Sequence, residues 1–116
     1  MGCLFCDIIQ GKAQATVVYE NDRVLAFEDT APKAPVHVLV IHKTHLKCIE
    51  ELTAENSSIM ADIFLGVREV ARIKGIDANG YRVIINNGPS GGQIIWHLHV
   101  HVLGGRERMG RMVSDS

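Results

Sequence analysis

Apolar and polar residues along the chain recur at two periods, and each period predicts an element. The sharpest alternation is Trp96-His97-Leu98-His99-Val100-His101-Val102-Leu103, where every second residue through His101 is a histidine. Period two predicts a β-strand with unlike faces. His97, His99 and His101 then share one face, and Leu98, Val100 and Val102 the other. The apolar face can sit on a core. The imidazole face must line something polar, because three unsatisfied rings are costly to bury. Upstream, Thr16–Glu20 and Val24–Phe27 read as a hairpin around Asn21-Asp22. Pro32 and Pro35 bracket a loop, and Val36–His42 follows as an apolar central strand. A long helix is expected from Thr53 as N-cap to a stop at Gly75. Its stripe is Ile59, Ile63, Val67 and Val70, joined by Met60, Phe64 and Ala71. Arg68, Glu69, Arg72 and Lys74 form its solvated face. Tyr81–Asn86 reads as a strand that returns through the glycine-rich turn Asn87–Gly92 into the histidine strand, making an antiparallel hairpin.

At 116 residues and 47% hydrophobic, the chain suits one compact domain over 1–116 with a real core. The segment from about 106 to 116 reads as a flexible tail, or as an arm reaching a partner's site. A formal net charge of −1 argues against nucleic acid or an anionic membrane as partner. No stretch has the apolar length of a membrane span, and Met1–Cys6 lacks the pattern of a signal peptide. Three cysteines, an odd number, fit a reducing cytoplasm.

Three imidazoles on one strand face suit two chemistries. One is nucleotidyl transfer, in which a neutral ring attacks phosphorus and its neighbours donate to the phosphate oxygens. His99, flanked on both sides, is then the natural nucleophile, and Gly91-Gly92 with the turn amides would cradle the phosphate. The other is metal binding by an HxH pair, with His37 as a further ligand. Gly88-Pro89-Ser90-Gly91-Gly92 formally matches a nucleophile elbow, but that motif needs a strand-to-helix turn, and a strand follows here. Cys3-Leu4-Phe5-Cys6 is a CxxC pair. No strand precedes it, so a thioredoxin-like role is disfavoured. Zinc would need two more ligands, and the segment taken alone reads as two half-buried thiols beside a short N-terminal helical turn.

His97-Leu98-His99-Val100-His101-Val102-Leu103 resembles the signature of the histidine triad (HIT) superfamily. The likeness extends over Leu4–Ile9, Leu25–Asp29, Ala34–His37, Gly80–Arg82 and Asn86–Gln93, and Val102–Gly105 is similar to the HINT-like nucleoside phosphoramidase branch. The resemblance implies an α+β fold: a meandering antiparallel five-stranded sheet, one long helix, a short N-terminal helix, and dimerisation into a continuous two-protomer sheet. It implies hydrolysis of purine nucleoside 5′-monophosphoramidates through a nucleotidyl-histidine intermediate, without a catalytic cofactor. The alternatives are a dinucleoside polyphosphate hydrolase and a nucleotide- or zinc-binding module with little turnover.

By the same resemblance, His99 matches the nucleophile and His101 the phosphate donor, while His97 and His37 match supporting histidines. Asn86, Gly92 and Gln93 match residues near the phosphate, and Asp29 the acid on the ribose. Leu4, Phe5, Ile8 and Phe27 fall where the family packs the base. Cys3, Cys6, His45 and His97 match a structural zinc site of some bacterial relatives. Two positions depart from the pattern. Ile94 replaces a hydroxyl donor, and Thr30 an apolar base contact.

Overall fold

A computed structural model describes residues 2–110. The part of the expected tail from 111 onward lies outside the described residues. The elements are α1 (Leu4–Ile9), β1 (Val17–Glu20), β2 (Val24–Glu28), β3 (Val36–His42), a 3₁₀ turn at Ile49–Glu51, α2 (Ser58–Ile73), β4 (Arg82–Ile84) and β5 (His99–Gly104). One antiparallel five-stranded sheet runs in the order β1-β2-β3-β5-β4. Both expected hairpins are present. No described helix is long and apolar enough to cross a membrane.

Period-two patterning gives the sheet two different faces. On one, Val24, Ala26, Val38, Val40, Val100 and Val102 meet Ile59, Ile63, Val67, Val70 and Ala71 of α2. The helix lies close because Gly66 faces the sheet; a Cβ there would stand 3.2 Å from Val40 and 3.3 Å from Val24. On the other face, Leu25, Phe27, Leu39 and Ile41 form a smaller cluster with Phe5 of α1, flanked by Ile8 and Ile9. Pairing of Leu39 with His101 and of Ile41 with His99 puts these two histidines on this second face. His37 pairs with Leu103, one step along, and so reaches His101 diagonally.

Three expectations need correction. The long helix starts at Ser58 rather than directly after Thr53; Thr53 and Asn56 close a separate turn ahead of it, in which Asn56 Oδ1 accepts the Thr53 N–H at 2.7 Å and Thr53 Oγ1 the Asn56 N–H at 3.2 Å. Phe64 is 45% exposed and falls outside the buried stripe. Finally, β5 starts at His99, so His97 lies in the bend before the strand. There its ring is turned towards the cysteines.

Candidate functional site

A cavity of about 420 Å³ opens on the second face of the sheet, a volume suited to a small ligand. Leu4, Phe5 and Ile8 of α1 form part of its wall, with Phe27 and Leu39 from the sheet; Asp29, Asn86, Gly92, His99 and His101 supply polar groups and backbone. Apolar side chains thus meet an acid, an amide and two imidazoles, a lining that can hold a flat base and an attached anion.

Hydrogen bonds fix the rings. His99 Nδ1 donates to the His97 carbonyl at 2.7 Å. Its Nε2 therefore carries the lone pair, and burial pulls the ring's pKa down, partly offset by that backbone bond. A neutral, oriented imidazole at a cavity wall is a nucleophile. His37 Nδ1 accepts the Lys33 backbone N–H at 3.0 Å, so its proton sits on Nε2. That Nε2–H lies 2.9 Å from His101 Nδ1 and 3.3 Å from Asp29. His101 Nδ1 is thereby the acceptor, and its own proton is on Nε2. Burial first, then His99 and His37, push the His101 pKa to about 4, so it stays neutral. The His101 Nε2–H faces the Asn86 amide nitrogen at 3.5 Å. Two donors facing one another do not bond; together they suit an anionic oxygen between them.

The glycine-rich turn plays a different part from the expected amide cradle. A Cβ on Gly91 would lie 2.3 Å from the Asn87 carbonyl, so only glycine fits. Gly91 N–H and Gly92 N–H are spent on Gly88 and Pro89 carbonyls, and Gln93 N–H on Gly88. Gly92 lines the cavity as bare backbone at φ +85°. Gln93 does not line it. Its Oε1 accepts from Gly88 N–H, and its Nε2 donates to Lys47 and Ile95 carbonyls. It holds the loop in shape from behind. Ile94 and Thr30 both border the cavity, and Ile94 is 87% exposed.

The other expected supporting histidine, His97, stands elsewhere. His97 is 1% exposed, and its Nε2 donates to the His42 carbonyl at 2.9 Å. Its Nδ1 faces Cys3 Sγ at 3.5 Å, Cys6 Sγ at 3.6 Å and His45 Nδ1 at 3.1 Å. Cys6 Sγ lies 3.2 Å from His45 Nδ1. Neither ring nitrogen is left for His37 or His101. His97 serves the cavity through its carbonyl, which orients His99.

The four donors fit a metal. A tetrahedral zinc with bonds of about 2.0–2.3 Å needs donor separations of roughly 3.3–3.8 Å. The four ligand atoms all lie within 4.8 Å of one another. The His97 Nε2–H bond to a carbonyl leaves the Nδ1 lone pair directed into the cluster, the usual outer-shell arrangement of a ligating histidine. Without a cation the Cys6 thiol is held protonated, its pKa pushed up to about 11 by burial and by Cys3. Asp29, His37 and His101 also converge, but there the Lys33 N–H keeps His37 Nε2 protonated, so that nitrogen donates and does not ligate.

Sequence reasoning missed the Lys33 N–H and the half-buried pair of His42 with Asp62. Neither carries a motif; both depend on partners brought together by folding.

Comparison with known proteins bears on the family and the fold. Residues 10–108 match the model of the HIT domain. An uncharacterised HIT-like protein of Synechococcus elongatus is 47% identical over 103 residues, covering 89% of this chain and 90% of that protein. The fold is similar to that of a HIT family hydrolase from Clostridium thermocellum, with a TM-score of 0.92, 41% identity and 97% of each chain covered. It is also similar to a histidine triad nucleotide-binding protein from Candida albicans, with a TM-score of 0.81, 26% identity, and 99% and 86% of the two chains covered. By its histidine strand, its sheet and these matches, the chain belongs to the HIT domain family.

Proposed function

We propose that the chain is a hydrolase of the HINT-like branch that cleaves the P–N bond of purine nucleoside 5′-monophosphoramidates. The observation that carries this reading is the His99 ring: Nδ1 is tied to the His97 carbonyl, and a neutral Nε2 is left at the cavity wall. The His99 Nε2 lone pair attacks phosphorus, the P–N bond breaks, and the amine departs after taking up one proton. Water then attacks the phosphorus of the adduct. The His99–P bond breaks, the nucleoside monophosphate forms, and one proton is released. His101 Nε2–H and Asn86 Nδ2–H stabilise the charge on the phosphate oxygens in both steps. His37 holds His101 in the donating tautomer. Asp29 takes the ribose hydroxyls, and Leu4, Phe5, Ile8 and Phe27 enclose the purine. The nucleotide-binding relative and the hydrolase named above support the substrate class and the reaction type.

Cys3, Cys6, His45 and His97 hold a structural Zn²⁺ in this reading. When bound, it ties α1 to the foot of β5. The unit is a single domain that forms a homodimer, and its free cysteines accord with a cytoplasmic setting.

An adenosine phosphoramidate carrying a fluorescent amine tests the reading. Amine release by the wild type, lost in His99→Ala with nucleoside monophosphate binding retained, is the expected outcome. Equal release by the variant would exclude His99 as nucleophile. Preferential cleavage of a competing dinucleoside polyphosphate would move the chain to that substrate class. One observation favours a second reading, a binding module with little turnover: Ile94 offers no donor at the cavity rim. Tight nucleotide binding without an adduct would select it.

A further inference from the structure

His42 takes no part in the chemistry above, yet it is 8% exposed and every polar atom of its ring is engaged. It is the last residue of β3. Its Nδ1 accepts the backbone N–H of Thr44 at 3.0 Å. The proton is then on Nε2, which lies 2.9 Å from Asp62 Oδ2 on α2. Asp62 Oδ1 in turn accepts from Arg23 at 3.2 Å. Through the Thr44 bond the ring closes a turn over residues 42–44, directly before His45. His45 Nδ1 arrives 3.1 Å from His97 Nδ1 and 3.2 Å from Cys6 Sγ. The His42 carbonyl is also the group that accepts from His97 Nε2. One residue thus governs two donors of the four: its ring sets the path to His45, and its carbonyl sets the tautomer and tilt of His97.

We propose that His42, braced by Asp62, is a positioning residue for the Cys3–Cys6–His45–His97 metal cluster. Its decisive contact is the Thr44 N–H, because that bond bends the chain between the strand and His45. The Asp62 bond anchors the ring to α2 and acts on stability. This inference rests on the zinc reading of the cluster.

Three variants separate the two arms. His42→Leu removes both. His42→Asn keeps an acceptor at the distance of Nδ1, since an asparagine side-chain oxygen readily accepts the N–H two residues on. His42→Gln keeps a donor at the reach of Nε2 for Asp62. The full chain of each is loaded with Co²⁺, and the thiolate-to-cobalt absorption and the ligand-field bands are recorded. Zinc affinity is then measured by competition with a chromophoric chelator, and urea midpoints are taken in excess chelator, so that they do not report metal affinity. His42→Leu is expected to lose about 10- to 100-fold in zinc affinity, the usual effect of disturbing the groups behind a ligand, and to shift the cobalt bands. His42→Asn is expected to regain most of the affinity and the wild-type spectrum while its urea midpoint stays low. His42→Gln is expected to regain the midpoint and not the affinity. Wild-type affinity in a folded His42→Leu overturns the proposal and leaves the zinc reading standing. Recovery of affinity by His42→Gln and not by His42→Asn overturns it as well. If His42→Leu does not fold, the contrast between the other two decides. A wild type without thiolate-to-cobalt absorption overturns the zinc reading and this proposal together.

Discussion

The imidazoles on the second face of the sheet fall into two groups that look alike and are wired in opposite senses. At the cavity end, His37 receives a backbone N–H on Nδ1, so its Nε2 keeps a proton and donates towards His101. At the cysteine end, His97 gives its Nε2 proton to a backbone carbonyl, so its Nδ1 offers a lone pair to its neighbours. Both rings are buried, and burial lowers the pKa of both. The difference comes from which backbone group each ring meets. A carbonyl makes a ligand, and an N–H makes a proton donor. His99 lies between and joins the two groups, because its Nδ1 rests on the carbonyl of His97.

The hardest break of this contrast is at the cysteine end. Cys6→Ser removes a thiolate that no hydroxyl replaces as a zinc ligand at neutral pH. Metal per chain, measured by mass spectrometry of the purified protein, is expected to fall to background. Loss of a bound metal belongs among the large destabilisations, about 4 kcal/mol or more, and chemical denaturation would show it. Retention of one zinc per chain would mean that the four donors are not the site.

The cavity end is sharpened by His37→Ala. With Nε2–H gone, His101 Nδ1 loses its donor and the His101 proton is free to occupy either nitrogen. Loss of a hydrogen bond that fixes a donor to a charged group costs about 1.5–3 kcal/mol. The expected result is a fall in kcat of roughly 10- to 100-fold, with metal content unchanged. A variant that instead loses metal would join the two groups into one site and remove the distinction.

How much of this was legible in the sequence follows the same division. Strand period and turn residues located β2, β3 and the β4–β5 hairpin, because side-chain alternation is a local property. Alternation likewise puts His99 and His101 on one face, while the role of His101 comes only through the family resemblance. Alternation also puts His97 on that strand face, since it carries no information on where a strand begins. The strand begins at His99, and the preceding bend leaves His97 free to turn to Cys3 and Cys6. The amide cradle expected of Gly91-Gly92 failed on a similar point: composition shows that the loop can bend, and only the fold shows that its N–H groups close the turn itself. Thr53 does accept the Asn56 N–H as a cap would, but the turn it closes runs over residues 53–56 and the regular helix begins only at Ser58, a distinction residue type alone does not carry. Asp29, 70 residues before the start of the triad strand at His99, could be assigned only through the family resemblance. Its approach to His37 depends on the register of β3 against β2 and β5.

The smallest expected effect concerns the brace behind the cysteine end, and it is read in acid. The hydrogen bond from His42, with a further contribution from Arg23, holds the Asp62 carboxyl below its ordinary range. A carboxylate whose folded value lies below its unfolded one binds fewer protons when folded. Its contribution to stability is complete above the unfolded value and is lost as pH falls through the folded one. Asp62→Asn cannot titrate, so it lacks that contribution at every pH. The wild type is therefore expected to exceed the variant in urea midpoint at neutral pH, and the gap to close as the solution is made acidic. Asp62 sits near the surface beside an exposed arginine, so the gap is modest, as for other screened ion pairs. A gap that stays constant with pH would mean that Asp62 acts through packing alone. His42 would then be held by the Thr44 bond, and the brace from α2 would contribute no charge to the cysteine end.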